Sequence, residues 1–310
     1  MKVRVLLEPR YGATYDQLAA MARTAEEAGF DAFFRSDHYL GIDADDTSLV
    51  PTDSWTTIGG LARETRTVRL GTLMTAATFR HPGQLAVVVA TADAMSGGRV
   101  ELGIGTGWYE REHQYFGIPF PSTGERFDRL EEALAIVTGL WSTPQGERFS
   151  FEGRHWRIDG CANFPRSAQR PRPRIIVGGS GPTRTPRIAA RYADEFNAAL
   201  SSSDSGVIDN FRRVCEEVGR DPATVTISTV LPVSCGTTIE EAEARRDHLG
   251  EAGRRLLSIG VVGTPADVIA RVEASKALGA EVIYFHVYDG ADTEHLRLLG
   301  AEVVPALAQL

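Results

Sequence analysis

The sequence predicts an α/β protein closed as a (β/α)8 TIM-type barrel, with an insertion after the fourth βα unit. Short apolar runs alternate with longer stretches of three-and-four apolar spacing eight times along 310 residues, about 39 residues per unit. The unusual residues (Glu, Asp-His, Thr and clusters of Gly) fall just past the ends of the apolar runs. No Gly-x-Gly-x-x-Gly turn follows the first run, where an open dinucleotide-binding sheet would need one. A doubly wound open sheet is the alternative.

Taken in order, Val3 to Leu7 reads as a buried strand that stops at Glu8. A helix starts at Thr14, with Gln17 placed to complete a capping box. Leu18, Met21, Ala22, Ala25 and Ala28 form its apolar stripe, and Gly29 closes it. The second strand is Phe30 to Arg35, followed by Ser36-Asp37-His38-Tyr39 and an aspartate-rich loop to about Asp53. A helix over Ser54 to Glu64 leads to a third strand, Val68 to Met74. Pro82 suits a first helical turn, and Leu85 to Met95 continues as an apolar helix with Gly97 and Gly98 beyond it.

The fourth strand begins at Val100, with Leu102 and Ile104 on the same face, and ends among Gly103, Gly105 and Gly107. Its helix is delayed to Gly124 through Trp141. From Ser142 to Pro173 the rhythm breaks, and Phe149 to Ile158 reads as two short strands about a Gly turn, an insertion within a single barrel domain over 1–310. Rhythm resumes with a strand at Arg174 to Val177, the loop Gly178-Gly179-Ser180-Gly181 and a helix from Thr183 to Tyr192. Asp194 to Leu200 is a weak sixth strand, followed by a helix over Ser205 to Val218. Thr224 to Val233 is the seventh strand, with helices over Thr238 to His248 and Thr264 to Leu278. Glu281 to Val287 is the eighth strand, with a closing helix over Glu294 to Leu307.

With 43% hydrophobic and 24% charged residues the chain can bury a large core, and its net charge of -8 argues against a nucleic-acid partner. The densest basic patch, Arg170 to Arg174, is interleaved with prolines and reads as a loop. No apolar run approaches the length of a membrane span, which at about 18 residues would mark one, so a cytoplasmic protein without a membrane partner is expected. Cys161, Cys215 and Cys235 form no Cys-x-x-Cys pair, so neither a disulfide framework nor a thiolate metal site is suggested.

In a barrel, loops that follow strands share one rim, and barrel enzymes build their sites there. Five strand ends supply candidates: Glu8, Asp37 with His38, Thr75, the Gly103 to Trp108 segment, and Gly178 to Gly181. The last offers backbone N–H groups and hydroxyls at a helix start, suited to a phosphate, although a tight turn would read alike. Arg111 and Arg126 could add charge to the same anion. Asp37 and His38 read either as an acid and base pair or as a helix cap and loop brace. His38, His81 and His286 lack metal-ligand spacing, so no metal site is expected, and His81 in Arg-His-Pro reads as helix-start punctuation. No Gly-x-Ser-x-Gly elbow supports acyl transfer.

Ser36-Asp37-His38-Tyr39, Gly71-Thr-Leu-Met-Thr, Phe79-Arg80-His81-Pro82, Gly103-Ile-Gly-Thr-Gly-Trp-Tyr-Glu-Arg-Glu-His, Phe116-Gly-Ile-Pro-Phe, Gly124-Glu-Arg-Phe-Asp-Arg and Gly178-Gly-Ser-Gly together resemble the luciferase-like monooxygenase family. Closest in pattern is its branch of F420-dependent oxidoreductases, and the match covers nearly the whole chain. The resemblance implies a tricyclic ring at the barrel mouth, touched by Asp37 and backed by a cis peptide at Leu73-Met74. It also implies a phosphate held by Gly178, Gly179 and Ser180, with Thr75 and Thr106 lining the site; Gly105 and Gly181, in the two glycine runs, are candidates for the same cofactor. A homodimer is usual for the family.

Members that use flavin mononucleotide (FMN) often carry an arginine where this chain has Thr106, which favours coenzyme F420, with FMN as the alternative cofactor. Sugar-phosphate dehydrogenases of the family carry a glutamate where this chain has Trp108 and a tryptophan near Ile42, where it has none. Of that catalytic set only His38 remains, a candidate for the proton transfer. Glu8, Trp108 and Tyr109 are expected to shape the pocket of a small-molecule substrate. The implied activity is hydride transfer between F420 and a small organic substrate. The alternatives are an FMN-dependent monooxygenase, a non-catalytic flavin-binding barrel and, last, a metallohydrolase.

Overall fold

The computed structural model describes residues 1–41, 51–162, 164–179, 181–198 and 206–309. Eight parallel strands close on themselves: β1 (Lys2–Leu7), β2 (Ala32–Arg35), β3 (Arg69–Thr72), β4 (Val100–Gly105), β5 (Arg174–Gly179), β6 (Glu195–Ala198), β7 (Thr226–Cys235) and β8 (Val282–Val287). Each pairs with the next, and β1 closes the ring on β8 from Lys2 opposite Val282 to Leu7 opposite Val287. The expected closed (β/α)8 barrel is therefore the fold, and the open sheet is excluded.

Alternation along the strands divides two cores. Leu6, Ala32, Phe34, Ile176, Val282 and Tyr284 fill the barrel interior together with Leu73. Val3, Val5, Leu7, Phe33, Val100 and Leu102 face the helices. The N-terminal end of the interior is charged. The buried Arg4 reaches Glu101 at 2.9 Å, Glu195 at 3.1 Å and the Tyr284 hydroxyl at 2.7 Å, while its Nε donates to Asp31 at 2.7 Å.

Local signals place the helices well. Thr14 and Gln17 make the expected capping box. His81 caps its helix by accepting the Gly83 N–H at 3.1 Å, which is the punctuation its Arg-His-Pro context suggests. Between the helix Thr123–Ser142 and β5 lies an antiparallel hairpin, Phe149–Glu152 with Arg157–Cys161.

Several boundaries differ from expectation, and tertiary contacts account for them. The third apolar run breaks at Thr72, the Leu73–Met74 peptide is cis, and Thr75–Ala76 then pairs separately with Ile104 and Gly105. β7 runs on to Cys235 because a short strand, Val261–Gly263, pairs with its end. The closing helix is interrupted by a π turn over Leu299–Val303, where Gly300 lies against Ala28. Two short helices, Glu110–Tyr115 and Gly250–Leu257, add to the expected elements. The expected sixth strand is described only as far as Ala198, with its end and the first residue of the next helix, Ser205, outside the described residues.

Candidate active site

A cavity of about 570 Å³ opens at the C-terminal ends of the strands. Seven consecutive rim positions contribute to its wall: Asp37 and His38 after β2, Leu73 to Thr75 after β3, Gly105 to Tyr109 at β4, Gly178 and Gly179 of β5 with Gly181 beyond it, Asn197 of β6, Val230 of β7 and His286 of β8. Thr123, Arg126 and Phe127 enter from the helix that follows β4. Of the expected site residues, Asp37, His38, Leu73, Met74, Thr75, Gly105, Thr106, Trp108, Tyr109, Arg126, Gly178, Gly179 and Gly181 are brought together here. Ser180 lies outside the described residues, as do 42–50 of the aspartate-rich loop.

Two expected residues are elsewhere. Arg111 is exposed on the Glu110–Tyr115 helix and does not line the cavity, because the turn of that helix sends its neighbour Glu112 inward instead. Glu8 is buried one layer behind the wall. It pairs with Arg10 at 3.2 Å, accepts the Ser36 hydroxyl and lies 3.4 Å from His286 Nε2. Burial by itself raises its pKa, but Arg10 and His286 overcome that and hold the carboxyl down at about 2.

Asp37 is fully braced. Its carboxylate is bridged by Arg80 and accepts the Thr75 hydroxyl at 2.9 Å, while Thr75 in turn receives the Trp55 indole N–H at 3.0 Å. Arg80 also contacts Asp53 and the Tyr39 hydroxyl, so one guanidinium ties the second strand end to its loop. Burial disfavours its charge, but Asp37 and Asp53 raise its pKa and keep it protonated. The brace and the cavity wall are thus the same residue.

Among the described residues the His38 ring has one hydrogen-bond partner, and it lines the cavity. Its Nδ1 lies 3.0 Å from Glu112 Oε2, and the edges of Trp108 and Tyr109 flank the ring at 5.6 and 6.4 Å between centroids. Trp108 is stacked on Tyr109 at 5.2 Å and is 60% exposed, an uncommon state for indole. Tyr109 is anchored through its hydroxyl to the Gly41 carbonyl at 2.9 Å.

The three glycines of the fourth strand end have three different reasons. A Cβ on Gly103 would stand 2.0 Å from the Thr72 carbonyl oxygen, so Gly103 serves strand packing. Gly105 has only ordinary contacts, and its missing side chain leaves cavity wall. Gly107 adopts φ +78°, in the region where L side chains are disfavoured. At Gly178 a Cβ would meet Met74 Cε at 2.1 Å and the Asn197 carbonyl oxygen at 2.8 Å.

Arg126 fits an anion near this cradle. Nη1 donates to the Pro121 carbonyl at 2.6 Å and Nη2 to Thr123 at 3.3 Å, yet Nε is buried without a hydrogen-bond partner among the described residues. Such an orphaned charged donor is costly unless a ligand completes it.

Arg80, Glu112 and His113 stand inside motifs of the family resemblance, yet sequence reasoning counted none of them, nor Asn197, among the site residues. His113 donates from Nδ1 to the Tyr109 carbonyl at 2.8 Å and meets the Thr78 hydroxyl at 2.7 Å through Nε2. Burial lowers its pKa, so it braces the Gly107 to Tyr109 turn as a neutral ring. No period marks such residues. His286, weighed only as a metal ligand, could have been found by its place near the end of the eighth strand. Among the described residues no group of three His, Cys, Asp or Glu side chains is placed to hold a metal ion.

The model of the family described as "Luciferase-like monooxygenase" matches residues 1–257. The chain belongs to the luciferase-like monooxygenase family. Among curated relatives of this family, an F420-dependent glucose-6-phosphate dehydrogenase of Microbacterium testaceum is 31% identical, over 91% of this chain and 90% of that protein. An F420-dependent hydroxymycolic acid dehydrogenase of Mycobacterium tuberculosis is 35% identical over 68% of this chain and 56% of that one. A solved F420-dependent secondary alcohol dehydrogenase, in complex with an F420-acetone adduct, shares the fold with TM-score 0.83 at 20% identity, covering 99% of this chain and 98% of its own.

Proposed function

We propose that this luciferase-like protein is an oxidoreductase that transfers hydride between coenzyme F420 and a small organic substrate. The observation that carries this reading is the family match together with a rim cavity whose walls answer the parts of that cofactor. Gly105, Leu73 and Met74 line the part of the cavity that would take the ring system. Gly178, Gly179 and Gly181 leave room for a phosphate, and Arg126 brings a cation to the same wall. Curated relatives are named for F420.

Bound F420 supplies two-electron hydride chemistry, so the protein must orient the ring, keep water from it and manage one proton. His38 is the group proposed for the proton, since Asp37 is spent on Arg80 and Thr75. Trp108 and Tyr109 form a stacked platform for the substrate. Arg126 is the one cationic Arg or Lys among the described lining residues, and it belongs with the cofactor phosphate. The platform therefore suits an uncharged alcohol or ketone rather than a sugar phosphate, despite the names of the relatives.

Titration of purified protein with F420 and, separately, FMN, followed by tryptophan fluorescence, tests the cofactor. Saturation by F420 with weak or no response to FMN is expected. Tight FMN binding without response to F420 would overturn the reading in favour of a monooxygenase.

Pairing of two copies, usual in the family, is part of this reading. An apolar row exposed on one helix, Val87, Val88 and Met95, supports it. Sedimentation velocity is expected to give a dimer, and Val88→Glu to weaken it.

A further inference from the structure

Glu112 is wholly buried on a six-residue helix, beside a cavity and with no Lys or Arg partner among the described residues. Its oxygens are divided. Oε1 accepts the backbone N–H groups of Tyr39 and of Leu40, the latter at 3.1 Å. Oε2 is left facing His38 Nδ1 at 3.0 Å. A carboxylate only accepts hydrogen bonds, so the nitrogen it faces must carry the proton. The geometry therefore dictates a tautomer: His38 donates from Nδ1 to Glu112, and its Nε2 lone pair has no protein partner among the described residues.

Resting on the reading of His38 as the proton-handling group, we propose that Glu112 is a positioning residue that locks His38 with Nε2 as a proton acceptor toward the cavity. In the oxidative direction the substrate's O–H bond breaks and an N–H bond forms at Nε2, while the hydride from the adjacent C–H bond would go to the oxidised cofactor that the site would hold. The resulting imidazolium keeps its Nδ1–H on Glu112, which offsets the new charge. In the reductive direction the same proton returns to the carbonyl oxygen. By also gripping the Tyr39 and Leu40 amides, Glu112 fixes the backbone that aims the ring.

Glu112→Gln separates charge from shape. Its amide oxygen would still accept from the two backbone N–H groups, so its NH₂ would face His38 Nδ1 and donate to it. The ring proton would then move to Nε2, turning an acceptor into a donor.

The test is nitrogen NMR on the purified full-length chain labelled with ¹⁵N-histidine, with His38→Gln used to assign the signal among seven histidines. The wild-type ring is expected as the Nδ1–H tautomer and the Glu112→Gln ring as Nε2–H. F420 affinity by fluorescence should change less than about twofold while kcat falls about 100-fold or more, as when a buried acid that sets a histidine tautomer is amidated. A wild-type ring with its proton on Nε2, or a Glu112→Gln protein with unchanged tautomer and kcat, would overturn the proposal. Should the variant fail to accumulate, the wild-type spectrum decides alone. Unchanged kcat in His38→Gln would instead remove the underlying reading and the catalytic meaning of Glu112, leaving the tautomer result standing by itself.

Discussion

The two ends of this barrel hold buried charge in opposite ways. At the N-terminal end Arg4 is enclosed by Glu101, Glu195, Asp31 and Tyr284, and its hydrogen bonds end on protein partners. Burial alone raises the Glu195 pKa, Arg4 opposes that, and Glu101 adds to the rise, so the cluster depends on its central cation. At the C-terminal end Arg126 and His38 line a cavity, and among the described residues Arg126 Nε and His38 Nε2 have no protein partner. The same barrel thus holds a cation, Arg4, whose hydrogen bonds end on protein acceptors and another, Arg126, with a donor to spare beside a cavity. Burial and charge alone do not distinguish a site. Incomplete satisfaction beside open volume does.

Breaking the closed end should cost stability most. Arg4→Ala leaves two buried glutamates without their common cation, and chemical denaturation should show a loss of about 3–5 kcal/mol. Cofactor affinity in protein that remains folded should be little changed.

At the open end the reverse pattern is expected. His38→Asn should lower kcat by about 10²–10⁴, the range of general acid–base catalysis, with the denaturation midpoint nearly unmoved. A large stability loss with retained turnover would show that His38 belongs to the closed kind of network.

Gly178→Ala tests the cradle, since the added methyl collides with Met74 and the Asn197 backbone. Overpacking should cost about 1–3 kcal/mol, and F420 titration should show weakened binding. Arg126→Ala is expected to weaken F420 binding about tenfold or more, the low end of the roughly 1.5–3 kcal/mol of a hydrogen bond to a charged group, while leaving stability close to wild type.

Glu8 sits between the two cases, buried yet paired. Its folded pKa of about 2 is below its ordinary 4.5, so it contributes stability above the ordinary value, and that contribution is lost as pH falls from there through about 2. Acid denaturation of Glu8→Gln should therefore be shallower than wild type between those values, with the two curves parallel above them.

Much of this contrast was legible in the residues. Strand ends carrying Asp37, His38, Thr75, Gly105 and Gly178 could be placed on one rim because side-chain period and punctuation are local. Thr14 with Gln17 and His81 before Pro82 announced helix starts for the same reason. Glu8 and Arg111 show where that reasoning stops. Both follow strand ends closely, but one turns into a buried ion pair and the other outward on a short helix. Glu112 shows the converse, a residue inside a motif of the resemblance that was not counted with the site and that folding sends to His38.

By itself, then, the sequence determined the barrel, its strand order and the rim on which chemistry gathers, since apolar periodicity, caps and glycine punctuation act between near neighbours in the chain. Only tertiary structure decided which of the rim's polar groups are spent on each other and which still face the cavity. That division depends on contacts such as Arg80 with Asp37 and Glu112 with His38, separated by 43 and 74 positions, and on angles at which short loops deliver a carboxylate. Gly103, Gly105 and Gly107 make the point most simply: alike in sequence, they serve strand packing, open wall and a positive φ.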